Sequence, residues 1–262
     1  MIFGLGKLVP DSVKFRAWRK WKNLFFRAHT HLGRSKYLLQ VYKIFGINQE
    51  LIVTRSTQLV IEGAARTATT FAYYNMLVSQ PLTFSIAYHI HLPAQVIRAL
   101  ELKIPVLVTI RNPRDAVASA VVRENFMSTK AYLERYLIFY RTLEPRMGEF
   151  VVADFSEVVS DFPAIIKRLN STFGCGYTIP DDLPRLNAEV AECLDRHHQC
   201  YGGGPNQSYR PNSIKKLAKA KVEFVSQQAL LDRCEDIYNH YLGRLSDVAI
   251  SRNSDADTMN NA

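Results

Sequence analysis

The chain has 262 residues, 47% of them hydrophobic, and a formal net charge of +9. A chain of this length can bury the core of one substantial α/β domain. Residues 1–50 contain ten Lys or Arg and two acidic residues, a net charge of +8, so the remaining 212 residues carry only +1. Because the positive charge is confined to the N-terminal segment, the composition argues against a nucleic-acid-binding domain.

The cysteines and the hydropathy pattern predict the compartment. The four cysteines lie far apart, at positions 175, 193, 200 and 234, with no CxxC pair, so reduced thiols are expected. No stretch approaches the roughly 20 apolar residues of a membrane-spanning helix, and charges interrupt the N-terminal region where a signal peptide has an apolar run. We therefore expect a soluble, cytoplasmic protein.

The segment 11–33 is predicted to form a basic amphipathic helix. Its large apolar residues recur at steps of three and four, namely Trp18, Trp21, Phe25, Ala28 and Leu32, which is the spacing of one helical face. Such a face can dock on an anionic membrane surface or pack on the main domain. Packing is the commoner arrangement, and it is our expectation here.

From Thr57 onward, short β-rich runs alternate with longer helical segments, the pattern of a parallel sheet with crossover helices. The predicted strands are Gln58–Glu62, Leu82–Tyr88, Val106–Ile110 and Phe150–Ala153. The predicted helices begin near Thr69, Pro93, Pro113, Thr129, Ser156 and Leu183, and a last long helix covers about Val222–Leu245. The predicted fold class is therefore α/β, a single domain with a central parallel β-sheet flanked by helices.

The domain organisation follows from these elements. Residues 1–50 form a basic N-terminal helical segment, residues 51–245 the α/β domain, and residues 246–262 a polar tail that we expect to be disordered. Within the domain, residues 197–212 contain three consecutive glycines and two prolines. This composition predicts a loop long enough to act as a lid or a binding segment.

The first candidate site lies in Gly63–Thr70, between an apolar strand and a helix. A loop in this position directs backbone N–H groups and the positive end of the helix at one point. Arg66 adds a positive charge, and three hydroxyls add donors, those of Thr67, Thr69 and Thr70. The pattern predicts a site for a phosphate-like group. It is not a nucleotide-kinase loop, because GxxxxGK[ST] requires Gly and Lys where this chain has Ala68 and Thr69.

The second candidate site follows the third predicted strand. Pro113 favours a turn at the residue before it and suits the first turn of a helix. Arg111 thus lies at the carboxyl end of a strand, where ligands bind in open α/β sheets. Ser119 lies two turns into the helix, so its hydroxyl can turn back toward Arg111 to clamp a second phosphate. An ion pair between Arg111 and Asp115, with an ordinary helical Ser119, is the alternative.

Both stretches resemble signatures of the PAPS-dependent sulfotransferase family of cytosolic and bacterial type. The family's P-[KR]-S-G-T-T-like loop is similar to Ala65–Thr70, with Thr67 in place of serine and Ala68 in place of glycine. Its R-N-P-x-D-x-x-x-S stretch is matched at every specified position from Arg111 to Ser119. In the family's order, His89–Pro93 resembles K-T-H-L-P, and the nine residues FSEVVSDFP resemble Y-E-D-L-V-S-D-P.

The resemblance implies a P-loop-like fold and transfer of a sulfuryl group from 3′-phosphoadenosine 5′-phosphosulfate (PAPS) to a hydroxyl or amine. The product is 3′,5′-bisphosphoadenosine (PAP), and no metal is required. The implied donor-binding residues are Arg66, Thr67, Ala68, Thr69 and Thr70 at the phosphosulfate, Arg111 and Ser119 at the 3′-phosphate, and Phe155 against the adenine. The methyl group of Ala68 stands where the family's glycine allows close backbone approach, so we expect Ala68 to affect donor affinity.

Sulfuryl transfer to an alcohol needs a base for the acceptor proton and a cation for the charge on the leaving phosphate. His91 is the predicted base, because imidazole titrates near working pH and the resemblance points to it. Arg66 is the predicted cation. Some members of the family use a carboxylate as base, which leaves Glu62, Glu101 and Glu124 as alternatives.

His89 adds two further possibilities for the same segment. In an extended chain, side chains two positions apart point to the same side, so His89 and His91 are expected to face each other. The pair is also compatible with a zinc site or with a purely structural role.

A late donor contact is expected after the glycine-rich loop. The family's R-K-G-like segment is not present as such, and Arg210 is the predicted substitute. The lysines that follow, Lys215, Lys216, Lys219 and Lys221, are predicted to form a solvated helix face.

The acceptor is expected to be a small molecule or a glycan, such as a carbohydrate or a phenolic compound, bound by Phe126–Tyr140 and the 197–212 loop. Two other functions stay open. An ATP-dependent phosphotransferase is disfavoured by the altered loop, and a non-catalytic nucleotide-binding or membrane-associated module is disfavoured by Arg111 and Ser119. A peripheral membrane contact through residues 11–33 is a further candidate interaction, no nucleic-acid partner is expected, and the sequence predicts no oligomeric state.

Overall fold

The computed structural model describes residues 24, 26–46, 48–124, 127–201 and 213–259, with side chains described up to Gly243 except at Tyr201. Within these residues the chain builds one parallel sheet of four strands, in the order β2-β1-β3-β4. The strands are β1 (Leu59–Gly63), β2 (Ile86–Tyr88), β3 (Val106–Ile110) and β4 (Val151–Asp154). In the register, Ile61 pairs with Leu107 and Thr109 with Ala153. The predicted α/β class with a central parallel sheet is confirmed.

Helices flank the sheet on both faces. In chain order they are α1 (residues 26–32), α2 (Lys36–Ile44), α3 (Thr69–Ser79), α4 (Pro93–Glu101), α5 (Pro113–Arg123), α6 (Thr129–Leu143), α7 (Phe155–Ser160), α8 (Phe162–Phe173), α9 (Leu183–Tyr201), α10 (Ser213–Ala220) and α11 (Gln228–Met259). Proline fixes the start of α4 and α5, where its missing N–H costs no hydrogen bond. No helix among the described residues is both long enough and apolar enough to span a membrane.

The two faces of the sheet bury different layers. Val60 and Val108 belong to the core between the sheet and α4, α5, α6 and α11. Leu59 and Ile61 belong to the opposite core, against α3, α7 and α8. Because neighbouring residues of a strand point to opposite faces, burial on both sides requires the continuous apolar runs seen in the sequence.

Three predicted boundaries differ from the structure. The second strand begins only at Ile86, because Phe84 N–H closes a turn onto Pro81 O and leaves Leu82 98% exposed. The predicted 197–212 loop is wrong at its start, since α9 remains helical through Tyr201; residues 202–212 lie outside the described chain. The last helix begins at Gln228, six residues later than predicted, and ends at Met259, so residues 246–259, predicted as part of a disordered tail, are helical.

The N-terminal segment packs on α4 with a face that differs from the predicted one. Leu39 and Tyr42 share a core cluster with Leu92, and Phe26 packs against the main core. Ala28 and Leu32, two members of the predicted stripe, are instead exposed. The expectation that this stripe packs on the domain is therefore wrong for these two residues, and its aromatic members Trp18, Trp21 and Phe25 lie outside the described residues.

Candidate functional site

The first loop, residues 64–68, is pinned to the neighbouring strand by buried hydrogen bonds. The Thr67 hydroxyl donates to Ala64 O at 2.8 Å and lies 2.8 Å from Thr109 Oγ1. Ala64 N–H donates to the Tyr140 hydroxyl at 3.2 Å, and that hydroxyl donates to Thr109 O at 2.7 Å. The Thr67 side chain therefore shapes the loop from within, and a contact of Thr67 with a ligand would come from its backbone.

The same loop contains two residues in the left-handed region. Arg66 has φ 72° and Ala68 has φ 73°, a conformation that costs roughly 1–2 kcal/mol for a residue with a side chain. Left-handed residues in such turns let backbone N–H groups point into an anion-binding concavity. Ala68 is the N-cap of α3, so this concavity lies at the positive end of a helix.

The second loop places Arg111 at the end of β3. Asn112 caps α5 by accepting hydrogen bonds from the N–H groups of Arg114 and Asp115. Tyr136 donates to Arg111 O at 2.8 Å, and the Arg111 guanidinium lies 3.7 Å from the centroid of the Phe155 ring. Burial lowers the pKa of Arg111, but a guanidinium stays charged at every physiological pH.

The two loops meet. Arg66 Nε donates to Ser119 Oγ at 3.1 Å across 53 residues of sequence. Arg111 Nη1 donates to Arg66 O at 3.3 Å. The structure thus brings the predicted residues of both motifs to one edge of the sheet, where the carboxyl ends of the adjacent parallel strands β1 and β3 lie side by side.

The histidine pair follows β2 in an unexpected backbone conformation. His89 has φ 66° and His91 has φ 57°, so the segment is left-handed at both positions and not extended as predicted. The two rings still lie close, with centroids 4.5 Å apart. The Glu62 carboxyl group holds this turn by accepting from the N–H groups of Ile90 at 3.0 Å and of His91 at 2.9 Å.

Hydrogen bonding fixes the tautomer of His91. Its Nδ1 lies 2.8 Å from Gly63 O; a carbonyl only accepts, so Nδ1 carries the proton and Nε2 carries the lone pair. Burial lowers the pKa of His91 well below its ordinary value, with the neighbouring His89 as the next cause. Burial, and then the charge of Arg66, lower the pKa of His89 to about 4. Both rings are therefore neutral at pH 7, and His91 Nε2 can accept a proton.

The three alternative carboxylates lie in different places. Glu62 is fully buried beneath the histidine segment and does not line the cavity described below. Glu101 lies at the end of α4, where it pairs with Lys36 and Arg98. Glu124 lines the cavity and accepts a hydrogen bond from the Tyr132 hydroxyl at 3.1 Å, so it is the one of these three carboxyl groups that borders the candidate site.

Residues from both loops and from the histidine segment border one cavity of about 1210 Å³. The residues predicted from the sequence that line this cavity are Arg66, Ala68, Thr69, Thr70, His89, His91, Arg111, Ser119 and Phe155. The hydroxyls of Thr69 and Thr70 lie 3.4 and 3.3 Å from His89 Nδ1. Among the described residues, eight Lys or Arg side chains and two acidic side chains line the cavity, so it attracts anions.

Helix α10 contributes cations that were predicted to be solvated. Lys215 is buried and Lys219 is half-buried, so the prediction of a solvated face is wrong for these two residues, whereas Lys216 and Lys221 are exposed. Lys215, Lys216 and Lys219 all line the cavity. Burial, and then the charge of Arg66, lower the pKa of Lys215 to about 8. The four-residue spacing of Lys215 and Lys219 placed them on one face, but the sequence could not tell that this face packs inward. Arg210 lies outside the described residues.

Helix α6 supplies further lining residues from the predicted acceptor region. Tyr132 and Arg135 border the cavity. Arg135 donates to the carbonyl oxygens of Ile90 at 3.5 Å and His91 at 3.4 Å. Arg123, at the end of α5, also lines the cavity, and no feature of the sequence distinguished it from a surface arginine.

The described part of the chain contains no set of side chains that could bind zinc at the histidine pair. No group of three or more His, Cys, Asp or Glu side chains there is arranged to hold a metal ion. The four cysteines, all described, are free thiols.

Comparison with known proteins gives a distant similarity. No protein-family model matches the chain, and no curated protein matches it. Among solved structures, a mouse sulfotransferase crystallised in complex with PAP is similar at 12% sequence identity. The similarity covers 68% of this chain and 81% of that chain, with a TM-score of 0.39.

Proposed function

We propose that this chain is a sulfotransferase that uses PAPS as donor and a hydroxyl or amine compound as acceptor. The observation that carries the proposal is the convergence of the two anion-binding loops, seen in the 3.1 Å contact between Arg66 Nε and Ser119 Oγ. One loop opens a helix, and the other adds a cation and a hydroxyl from the adjacent strand. Two anion sites side by side suit a donor with phosphate groups on both sides of its ribose.

The polar atoms of the site fit such a donor. Arg111 Nε is buried and has no hydrogen-bond partner within the described residues, and a buried unpaired donor of this kind is costly unless a ligand meets it. Arg111 and Ser119 are the proposed ligands of the 3′-phosphate. Arg66 and the backbone at the start of α3 are the proposed ligands of the phosphosulfate, which requires Arg66 to exchange Ser119 for the donor. Phe155, which lines the cavity, is the proposed adenine contact.

The proposed base is His91. Its Nε2 takes the proton of the acceptor hydroxyl while the hydroxyl oxygen bonds to sulfur, and Arg66 stabilises the charge that develops on the leaving phosphate. The bound donor supplies the sulfuryl group. Support comes from the Nδ1 contact with Gly63 O, which fixes the reactive tautomer, and from the shared cavity of His91 and Arg66.

The charge of the cavity favours an anionic acceptor. Within the described part of the chain, eight cationic and two acidic side chains give the lining a net charge of +6 with neutral histidines. PAPS carries about −4, counting close to −2 for its 3′-phosphate. The surplus favours a sugar or phenolic acceptor that itself carries an acidic group. A cytoplasmic location is part of the proposal and is supported by the free state of all four thiols.

The decisive test is stabilisation by PAP. A ligand present at 100 times its dissociation constant stabilises the folded state by about 2.7 kcal/mol, which appears as a clear rise in Tm. ATP with magnesium should stabilise far less. Arg111→Ala should abolish the shift, whereas Arg98→Ala, a half-exposed arginine paired with Glu101 outside the cavity, should leave it unchanged.

Two results would overturn the proposal. One is the absence of any Tm shift at millimolar PAP. The other is a larger, magnesium-dependent shift with ATP, which would favour a phosphotransferase. If PAP binds, mass-shift detection of sulfated products from a panel of acidic and neutral sugars and phenols identifies the acceptor.

A further inference from the structure

Helices α1 and α2 turn apolar side chains away from the domain. Leu24, two residues before α1, and then Ala28 and Leu32 in α1 follow one another at four-residue steps. Tyr37, Val41 and Ile44 of α2, with its C-cap Phe45, form a second stripe. The six large side chains among these are between 41% and 77% exposed. We call these seven residues the outer stripes. Exposed apolar surface organised along two consecutive helices is typical of an interaction site.

The orientation of these helices is fixed by their inner faces. On α1, Phe26 packs edge-on against Tyr132, with ring centroids 5.9 Å apart. On α2, Leu39 and Tyr42 are buried in a cluster with Ile90 and Leu92. Since the inner faces are occupied by the core, the outer stripes cannot turn inward without breaking these contacts.

The same two helices carry only positive charge. Residues 24–46 contain four Lys or Arg and no acidic residue. These four, Arg27, Arg34, Lys36 and Lys43, are exposed. Arg27 and Lys36 approach Glu134 and Glu101 only at 3.6 Å, and more than half of each cationic side chain stays in solvent.

We propose that the outer stripes and these four cations form a docking surface for an anionic lipid bilayer. Apolar side chains enter the boundary between headgroups and acyl chains, while Lys and Arg meet the lipid phosphates. The charge decides the occupant: a second copy of this chain would place four cations against four cations, whereas an anionic membrane complements them. The sequence before residue 24 is also basic, with six Lys or Arg and one acidic residue.

The test uses the full chain and sedimentation with vesicles of neutral phosphatidylcholine, or of phosphatidylcholine with 30% phosphatidylserine. Leu32→Ser, Ile44→Ser and Phe45→Ser are combined in one variant. A matched control combines Leu82→Ser and Val225→Ser, which lie outside the outer stripes and are 98% and 87% exposed. A thermal melt of each variant shows whether it is folded.

Binding to the phosphatidylserine vesicles, weakened at 0.5 M NaCl, is the expected result for the wild type. The outer-stripe variant should bind at least about tenfold more weakly than the wild type. The control variant should bind like the wild type. No binding of the wild type, equal binding to neutral vesicles, or unchanged binding of the outer-stripe variant would each overturn the proposal. So would a wild-type dimer that the outer-stripe variant loses, because that result assigns the stripes to a second copy.

Discussion

Replacing Glu62 by glutamine tests what holds the histidine segment in its left-handed turn. The buried carboxyl group accepts from the N–H groups of Ile90 and His91 and from the Gln95 side chain, at 3.0, 2.9 and 3.0 Å. Glutamine keeps the volume but offers one oxygen and one NH₂ group, so at least one donor loses its acceptor. A buried donor without a partner costs about 1–3 kcal/mol. At low pH we expect Glu62→Gln to lower the free energy of unfolding by this amount.

The effect should depend on pH, because burial raises the pKa of Glu62 from 4.5 to about 8. The hydrogen bonds from Ile90 and His91 oppose that shift without cancelling it. A folded-state pKa above the unfolded one contributes stability that is complete below the unfolded pKa and is lost as the pH rises toward the folded pKa. Between pH 4.5 and 7 the loss is about 3 kcal/mol, at about 1.36 kcal/mol per pKa unit. Because glutamine does not ionise, the Glu62→Gln variant does not lose this stability as the pH rises.

The measurement is urea unfolding of both proteins at pH 5, 6 and 7. The difference between them is the informative quantity, because the lowered pKa of His89 destabilises both proteins as the pH falls. The advantage of the wild type should shrink as the pH rises. An advantage that grows with pH would mean that Glu62 is ionised with a lowered pKa, and the reasoning would fail. Glu101→Gln, at an ion-paired surface site, is the control.

Four further outcomes concern the site itself. His91→Asn keeps a residue type that tolerates positive φ and a donor for Gly63 O, so PAP affinity should stay within about twofold while turnover falls by about 10²-fold or more; unchanged turnover would move the base to Glu124. Ser119→Ala should weaken PAP binding by about 3- to 30-fold in calorimetry, the effect of one lost hydrogen bond, and undiminished affinity would remove Ser119 from the donor site. Ala68→Gly should tighten PAP binding, with a change in unfolding free energy within about 1 kcal/mol, because relief of left-handed strain opposes the greater unfolded-state entropy of glycine. PAP affinity of the wild type should fall between pH 7 and 9 as Lys215 loses its proton, given its pKa of about 8, and Lys215→Met should flatten that profile.

The sequence predicted the parts of this molecule that local rules determine. Pro93 and Pro113 marked helix starts because proline suits the first helical position. The apolar runs marked β1 and β3 because both faces of those strands are buried. The pairing of β1 with β3, which the sequence did not specify, puts the two loops at one edge and brings Arg66 close to Ser119.

What the sequence could not supply depends on long-range packing. The left-handed turn at His91 exists because Glu62 and Gly63, 28 to 29 residues earlier in the chain, accept its hydrogen bonds. Lys215 turns inward because α10 lies against α5 over the cavity. Ala28 and Leu32 follow helical periodicity, but periodicity identifies one face of a helix and does not show whether that face packs on the domain or is exposed.

Helices α1 and α2 contact the segment that follows His91. Ala94 N–H donates to Gly33 O at 3.0 Å, and Leu39 shares a cluster with Ile90 and Leu92. Helices α1 and α2, which carry the outer stripes, thus contact the residues that flank His91 and position its imidazole. If vesicle binding displaces these helices, thermodynamic linkage requires PAP to alter vesicle affinity by the same factor by which vesicles alter PAP affinity.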